Sequence, residues 1–307
     1  MPSTRDIRRR IKSVKSTSLI TKAMQMVAAS KMSKAQEQAM QGRPFALQLE
    51  KMLKDIGANA LEVEHPLWKN KGLNDRPCVL LISTDKGLCG GLNANLFREV
   101  NALPKETAFV TIGRRGKQFL ARSKRNLLAD FELGEKVMFT EVKKVSEYLT
   151  DLFLKGEITS LNVVYSQFVN TLVQKPSSEP LLPLADLSIT DAGLLGVANS
   201  KNKEAAEEAP APAGDVAISN IDAGFIYEPS EEAVESKLFP TYVNFQVYHM
   251  LLEARASEHS ARMVAMKNAT DNAKQLIKDL TLEYNKVRQS SITNEILEIA
   301  AAQMASN

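Results

Sequence analysis

The segment with the best spacing for chemistry is a glycine-rich stretch that follows a short apolar run. Residues 78–83 (CVLLIS) are typical of a buried strand, and residues 85–93 (DKGLCGGLN) would form the turn into the next helix. A glycine-rich turn in this position can bind phosphate through its backbone N–H groups. The stretch matches neither GxGxxG nor GxxxxGK followed by Ser or Thr. Glycines also serve tight turning and close packing, so we predict a structural turn here.

Cysteine and histidine, the usual nucleophiles and metal ligands, are sparse and scattered. Cys78 and Cys89 lack CxxC spacing, which argues against a zinc site or a disulfide and fits a reducing compartment. His65, His249 and His259 lie far apart, and His259 stands among charged residues of a helical stretch. No Ser/His/Asp set or pair of carboxylates stands out. We therefore expect no catalytic, cofactor-binding or metal site.

The glycine-rich stretch lies in a region where apolar runs alternate with segments of helical pattern. Predicted strands cover residues 78–83, 108–112, 126–131 and 161–165, and predicted helices cover 90–103, a stretch opening near Arg114, and 140–155. This alternation is typical of an α/β domain with a largely parallel sheet. We predict a Rossmann-like α/β domain over residues 75–225. Within it, residues 199–214 are polar and rich in alanine and proline, which indicates a mobile surface insertion.

The C-terminal end of the chain predicts a long helix. Residues 241–307 contain no glycine or proline, and we assign a C-terminal shaft helix to residues 226–307. Such a helix is too long to bury its apolar side inside a 307-residue globule, so it needs a partner helix. Its apolar residues step by four and three, as in the seam of a coiled coil: Ala273, Ile277, Leu280, Tyr284 and Val287.

The N-terminal end supplies that partner, a shaft helix assigned to residues 1–60. Residues 3–41 again lack glycine and proline, and we expect Gly42 and Pro44 to stop or break the helix. The two ends therefore predict an antiparallel coiled coil with the α/β domain inserted between its helices, although two core helices of an ordinary bundle are an alternative. The predicted apolar face comprises Ile7, Ile11 and Val14 and, after a shift in register, Ile20, Met24 and Val27.

Charge is distributed unevenly between the two helices. From Arg5 to Arg43 ten Lys or Arg residues face only two acids, Asp6 and Glu37, whereas residues 241–307 carry seven of each sign. The basic half predicts an acidic partner surface. Nucleic acid is not favoured, because aromatic residues do not interleave with the basic ones and no nucleic-acid-binding module is recognisable. No apolar run is long enough to span a membrane.

Several long motifs of this sequence closely resemble the γ subunit family of F-type ATP synthases. They are residues 20–32 (ITKAMQMVAASKM), 85–93, 261–272 (ARMVAMKNATDN), 284–289 (YNKVRQ) and 291–299 (SITNEILEI), in the order of the family. There are two departures. Residues 300–302 are alanines where the family usually has a glycine, and the insertion at 199–214 is longer than expected for a bacterial member.

The resemblance implies a non-catalytic rotor subunit. In that family the coiled coil threads the hexamer of α and β subunits, and the α/β domain lies at the foot beside the ε subunit and the membrane c-ring. Ion flow would turn the shaft, which would present different faces to the catalytic β subunits in turn during ATP synthesis or hydrolysis.

The same resemblance implies contact residues, each of which could otherwise be part of a solvated helix surface. A Tyr-Glu-Pro segment at the foot would contact the c-ring or ε through Tyr227 and Glu228. The residues matched to β-subunit contacts are Met24, Arg10, Lys22, Arg288, Gln289, Thr293, Glu295 and Glu298.

The resemblance also implies a location. Chloroplast members carry a regulatory cysteine pair in an insertion, and residues 199–214 contain no cysteine. We expect a bacterial complex on the cytoplasmic side of the plasma (inner) membrane, with a processed organellar chain as the alternative. Two other functions remain as hypotheses: a coiled-coil adapter that self-associates through Ile277, Leu280 and Tyr284, and a nucleotide-binding enzyme that uses the loop between Gly87 and Gly91.

Overall fold

The computed structural model describes residues 3–58, 65–69, 76–134, 136–186, 228 and 230–305. The chain forms two compact units, one from Met1–Ser30 with Arg262–Asn307 and the other from Lys31–Ala261. Both terminal helices contribute to both units. The predicted insertion at 199–214 lies outside the described residues.

Two long helices carry the ends of the chain, α1 over Thr4–Ala58 and α5 over Glu231–Ala305. The prediction that Gly42 and Pro44 stop or break the first helix was wrong, because α1 continues through both residues. Proline removes one backbone hydrogen bond of a helix. The turns that follow bury Ala46, Leu49 and Leu53 in the core, and this packing outweighs the loss.

In the first unit, α1 and α5 pair as an antiparallel coiled coil. The Arg8 guanidinium donates to the Tyr284 hydroxyl, and the hydroxyls of Thr21 and Thr270 are 2.7 Å apart, so the later residue of α1 meets the earlier residue of α5. Leu280 is buried in this seam. The seam that the adapter hypothesis reserved for self-association is therefore covered within the chain itself.

The register shift predicted along the N-terminal helix was wrong for Ile20 and Val27, whereas Met24, the third residue of that predicted face, is half-buried. Ile20 and Val27 are 57% and 53% exposed, whereas Thr21 is half-buried and Ala28 is buried. Apolarity alone misidentified the face because the seam passes through small polar residues without changing its spacing of three and four. The positions that keep this spacing and are buried or half-buried are Ile7, Ile11, Val14, Ser18, Thr21, Gln25 and Ala28, and Met24 is half-buried beside them.

The second unit contains a five-stranded sheet with strand order β3-β2-β1-β4-β5. Strands β1 to β4 are parallel, and β5 pairs antiparallel with β4. The elements are β1 Pro77–Ile82, α2 Leu92–Ala102, β2 Ala108–Ile112, α3 Arg114–Arg122, β3 Asn126–Phe131, α4 Phe139–Leu154, β4 Ser160–Phe168 and β5 Gln174–Leu182.

Both faces of this sheet are covered, which explains the nearly continuous apolar runs of its central strands. On one face Val79 and Phe109 pack with Leu96 of α2 and Leu120 of α3. The other face packs with α4 and with the parts of α1 and α5 that belong to this unit, through residues that include Leu80, Val110, Leu149, Leu53, Phe239 and Val243. The mixed α/β fold with long terminal helices is thus confirmed.

Candidate functional site

The glycine-rich stretch, residues 85–93, lies at the carboxyl end of β1 and leads into α2, and the segment 83–85 at its start caps helix α3. The first backbone N–H groups of a helix have no partner inside the helix and are the groups that bind phosphate in nucleotide sites. In this protein they are already satisfied by the three residues that follow β1. Arg114 N donates to Asp85 Oδ1 at 3.2 Å, Arg115 N to Thr84 O at 3.0 Å, and Gly116 N to Ser83 Oγ at 2.8 Å.

Close packing explains two glycines at the start of α3. Gly113 has a φ of +100°, a conformation that side chains rarely adopt, and a Cβ there would collide with the Ser83 carbonyl. A Cβ on Gly116 would lie 2.5 Å from Thr111 Oγ1 and 2.7 Å from Ser83 Oγ. Within the stretch itself, Gly90 has a φ of +60°, a conformation that a tight turn requires and that favours glycine. This conformation, together with the carboxylate of Asp85, favours the structural turn over a phosphate site.

The same stretch reaches helix α5 through a buried ionic group. Arg255 Nη2 donates to Asp85 Oδ2 at 3.1 Å, and Arg255 Nη1 donates to Glu258 Oε2 at 3.0 Å. Arg255 and Glu258 are 8% and 4% exposed, so these charges are largely removed from water. We did not predict this contact, because Asp85 and Arg255 are 170 positions apart in the sequence.

A second buried polar group lies between the sheet and α5. Tyr165 on β4 donates to Glu179 Oε1 on β5 at 2.8 Å, and Ser177 donates to the same oxygen at 3.1 Å. Glu253 of α5 is buried, and His249 Nδ1 lies 3.9 Å from its Oε1. Burial, followed by the charge of Glu179, raises the pKa of Glu253 to about 7. Among the described residues, no group of three His, Cys, Asp or Glu side chains could hold a metal ion.

The residues predicted to contact β subunits lie on the surfaces of α1 and α5. Met24 is half-buried at the edge of the seam. Thr293 donates to the Gln289 carbonyl at 2.9 Å, which keeps its hydroxyl on the helix. Of the pair predicted at the foot, Glu228 is exposed, and Tyr227 lies outside the described residues. The exposed members of the predicted β-subunit set are Arg10, Lys22, Arg288, Gln289, Thr293, Glu295 and Glu298.

The C-terminal part of α5 presents exposed apolar residues that are not among the predicted contact residues. Every residue from 288 to 301 is exposed. The antiparallel pairing brings the start of α1 to Tyr284, so α5 continues beyond its partner helix. The exposed apolar residues of this tip are Ile292, Ile296, Leu297 and Ile299. Their spacing of four and three is the signal that could have identified them.

Comparison with known proteins decides the family. The ATP synthase family matches residues 3–305 of the chain. The chain is 49% identical to the ATP synthase gamma chain of Opitutus terrae and 43% identical to that of Methylacidiphilum infernorum, each over 99% of both chains. The chain belongs to the ATP synthase gamma chain family. Gamma chains form the central stalk of the F-type ATP synthase and are structural, rotor subunits rather than the catalytic ones.

Solved structures agree with this fold of the gamma chain family. A chain of the Euglena gracilis mitochondrial ATP synthase, from a structure of OSCP, F1 and c-ring, superposes with a TM-score of 0.64 at 19% identity, covering 98% of this chain and 94% of that one. A chain from the central stalk and c-ring of the Tetrahymena thermophila mitochondrial ATP synthase gives a TM-score of 0.57 at 25% identity, covering 81% and 99%. No helix among the described residues of this chain is long and apolar enough to cross a membrane.

Proposed function

We propose that this chain is the rotor that couples ion flow through a membrane c-ring to conformational cycling of catalytic β subunits. The observation that carries the proposal is the tip of α5, where an unpaired helix exposes Ile292, Ile296 and Ile299. Exposed apolar rows of this kind occur where a partner covers them. A surrounding ring of subunits would cover the tip while the paired helices below keep the shaft stiff.

The surface of the shaft has the properties that sequential contacts with β subunits require. A subunit can shift the conformation of another only by the difference in contact energy between the two states. Arg288 and Gln289 stand on the unpaired tip, and Arg288 is suited to directed contacts with carboxylates. Arg10 and Lys22 are exposed on the basic helix, and Met24 of the same helix is half-buried. Thr293, Glu295 and Glu298 would complete the polar contacts near the tip.

The lower end of the rotor would contact the c-ring and the ε subunit. Glu228, the exposed residue that precedes the start of α5 by three positions, and the neighbouring Tyr227 are the residues proposed for this contact. The relatives from Opitutus terrae and Methylacidiphilum infernorum support a bacterial complex, peripheral on the cytoplasmic side of the plasma membrane. Contacts with α subunits would be made within the same catalytic ring.

A pull-down of the tagged chain from detergent-solubilised membranes tests this function. The expected result is recovery of α, β and ε subunits together with the c-ring, with one copy of this chain for every three β subunits. Recovery of the chain alone, or with soluble partners only, would contradict the rotor assignment.

A further inference from the structure

We infer that a polar clamp, formed by Asp85, Thr171, Arg255, Glu258 and Ser260, fixes the angle at which helix α5 sits in the α/β domain. Arg255 is the positioning residue of this clamp and acts through Asp85. The inference rests on the proposed rotor function for its purpose, whereas its geometry belongs to the unit Lys31–Ala261 alone.

Two loops at one edge of the sheet supply the domain side of the clamp. Asp85 follows β1 and Thr171 follows β4, and these strands are parallel neighbours, so both loops leave the same carboxyl edge. Arg255 donates to Asp85 at 3.1 Å. Ser260 Oγ donates to the Thr171 carbonyl at 2.7 Å. The clamp thus binds α5 from two adjacent loops.

The position of the clamp along α5 is the second observation. Arg255, Glu258 and Ser260 occupy the last turns of α5 before Ala261, the residue at which this compact unit ends. Two helices join the units, and the share of the torque that α5 carries passes through these turns, while α1 carries the rest past Ser30. Contacts at the end of the unit oppose rotation of α5 about its own axis more directly than contacts nearer the start of α5 would.

The chemistry of the clamp differs from that of the packing behind it. Apolar burial is not directional, so contacts of Val247 and Leu251 resist separation of the helix from the sheet more than they resist sliding. Hydrogen bonds depend on distance and angle. Buried ion pairs often add little net stability over apolar residues but can select a single arrangement. The guanidinium of Arg255, which is bound to carboxylates from a loop and from its own helix, is suited to that selection.

The first test uses the isolated chain and does not depend on the rotor function. Cysteines introduced at the exposed positions Gln118 of α3 and Lys237 of α5, both within this unit, would carry spin labels, since the native Cys78 and Cys89 are buried. A label on a helix with a radius of about 5 Å moves several ångströms when the helix turns by a fraction of a revolution. We therefore expect Arg255→Met to broaden the measured distance distribution by several ångströms.

Three further variants separate the clamp from general loss of stability. Arg255→Lys keeps a charge that can reach one carboxylate and should restore part of the narrow distribution. Asp85→Asn keeps an acceptor for Arg114 N but removes the ionic partner of Arg255, so it should also broaden the distance distribution. If Arg255→Met does not fold, the result for Asp85→Asn tests the clamp in its place. The matched control is Lys117→Met, which removes an exposed ion pair to Asp130 in the same domain and should leave the distribution unchanged.

The second test measures the number of ions pumped per ATP hydrolysed in the assembled complex. Arg255→Met should assemble and hydrolyse ATP but at least halve this ratio, and Lys117→Met should preserve it. Distributions of wild-type width for both Arg255→Met and Asp85→Asn would overturn the clamp. Broadened distributions with a wild-type pumping ratio would overturn its role in torque transfer. If the wild-type chain failed to assemble, the rotor function would fail while the spin-label result still decided the clamp.

Discussion

The hydroxyl of Tyr165 on β4 donates a 2.8 Å hydrogen bond to Glu179 on β5, and the buried Glu253 of α5 faces the same pair. The carboxyl groups of the buried Glu253 and the half-buried Glu179 therefore approach the same tyrosine hydroxyl. Glu253 Oε2 has no hydrogen-bond partner among the described residues. Burial and the charge of Glu179 raise the pKa of Glu253 to about 7, because the ionised form would be poorly solvated and repelled.

Glu253→Gln is expected to flatten the dependence of stability on pH. The folded chain keeps the proton of Glu253 up to about pH 7, whereas the unfolded chain loses it near the ordinary value of 4.5. Between these values the folded state binds more protons, so stability falls as pH rises and stays low above pH 7. Thermal unfolding midpoints measured at about pH 5 and about pH 8 should differ less in the variant. Glu147→Gln, an exposed change on α4, should keep the wild-type slope.

Thr270→Val is expected to destabilise the coiled coil by about 1 kcal/mol, the usual net value of a buried hydrogen bond. Thr270 is buried in the seam, and its hydroxyl lies 2.7 Å from that of Thr21. Thr293→Val is a matched control. The hydroxyls of Thr270 and Thr293 each donate to the carbonyl four residues earlier in α5, but Thr293 is exposed and lies outside the seam. Equal unfolding free energies for the two variants in urea titrations would contradict the contribution of the Thr21–Thr270 contact.

Gly116→Ala is expected to cost about 1–3 kcal/mol even though alanine favours helices over glycine. The added methyl group would meet Thr111 Oγ1 and Ser83 Oγ where a buried strand, a loop and α3 converge. Gly134→Ala is the control, because its nearest neighbour would be an ordinary 3.7 Å away. If the Gly116→Ala chain were as stable as wild type in chemical denaturation, α3 would be able to move away from Thr111 of β2 without loss of unfolding free energy, which would contradict the prediction.

The sequence pattern predicted most of the strands and helices because these elements depend on residues that are close together in the sequence. The central strands are buried on both faces and therefore appear as short apolar runs, and β2 over Ala108–Ile112 was predicted residue for residue. Strand β5 was missed because Pro176 and Pro180 and several polar residues mask it. The prediction that α1 ends near Pro44 was wrong, because burial of the turns that follow Pro44 stabilises the helix despite the proline.

The candidate sites differ in the same way: features made by residues close in sequence were predicted, and contacts between residues distant in sequence were not. Motif resemblance identified the family, and spacing identified the seam of α5, because both depend on residues close in sequence. The pairing of Asp85 with Arg255 depends on topology, which brings a loop after β1 to the end of a helix 170 residues later. The predicted contacts of Arg288, Gln289 and Met24 with β subunits depend on partner surfaces and stay predictions.

Met24→Lys is expected to lower ATP synthesis by the assembled complex more than ATP hydrolysis. A cation at this half-buried position would form an ion pair with an acidic surface of a β subunit and retain the shaft at one angle. The measurement is the ratio of synthesis to hydrolysis in reconstituted vesicles. Met26→Lys is the control, because Met26 is 60% exposed and lies on another side of the same helix. Equal losses of synthesis and hydrolysis, with normal assembly, would count against a coupling role for Met24.

Ile296→Asp is expected to separate assembly from folding. Ile296 is 61% exposed on the tip of α5, so a charge there should change the unfolding free energy of the isolated chain by no more than about 0.5 kcal/mol. If a ring of subunits covers the tip, the same charge would be buried in the complex, and the yield of assembled complex should fall steeply. Leu280→Asp provides the opposite case, because Leu280 is buried in the seam and its replacement should unfold the coiled coil before assembly. Size-exclusion chromatography of purified complexes, combined with thermal unfolding of the free chains, measures both effects. A normal yield of complex with Ile296→Asp would mean that the apolar row of the tip remains in water, and the observation that carries the rotor proposal would lose its force.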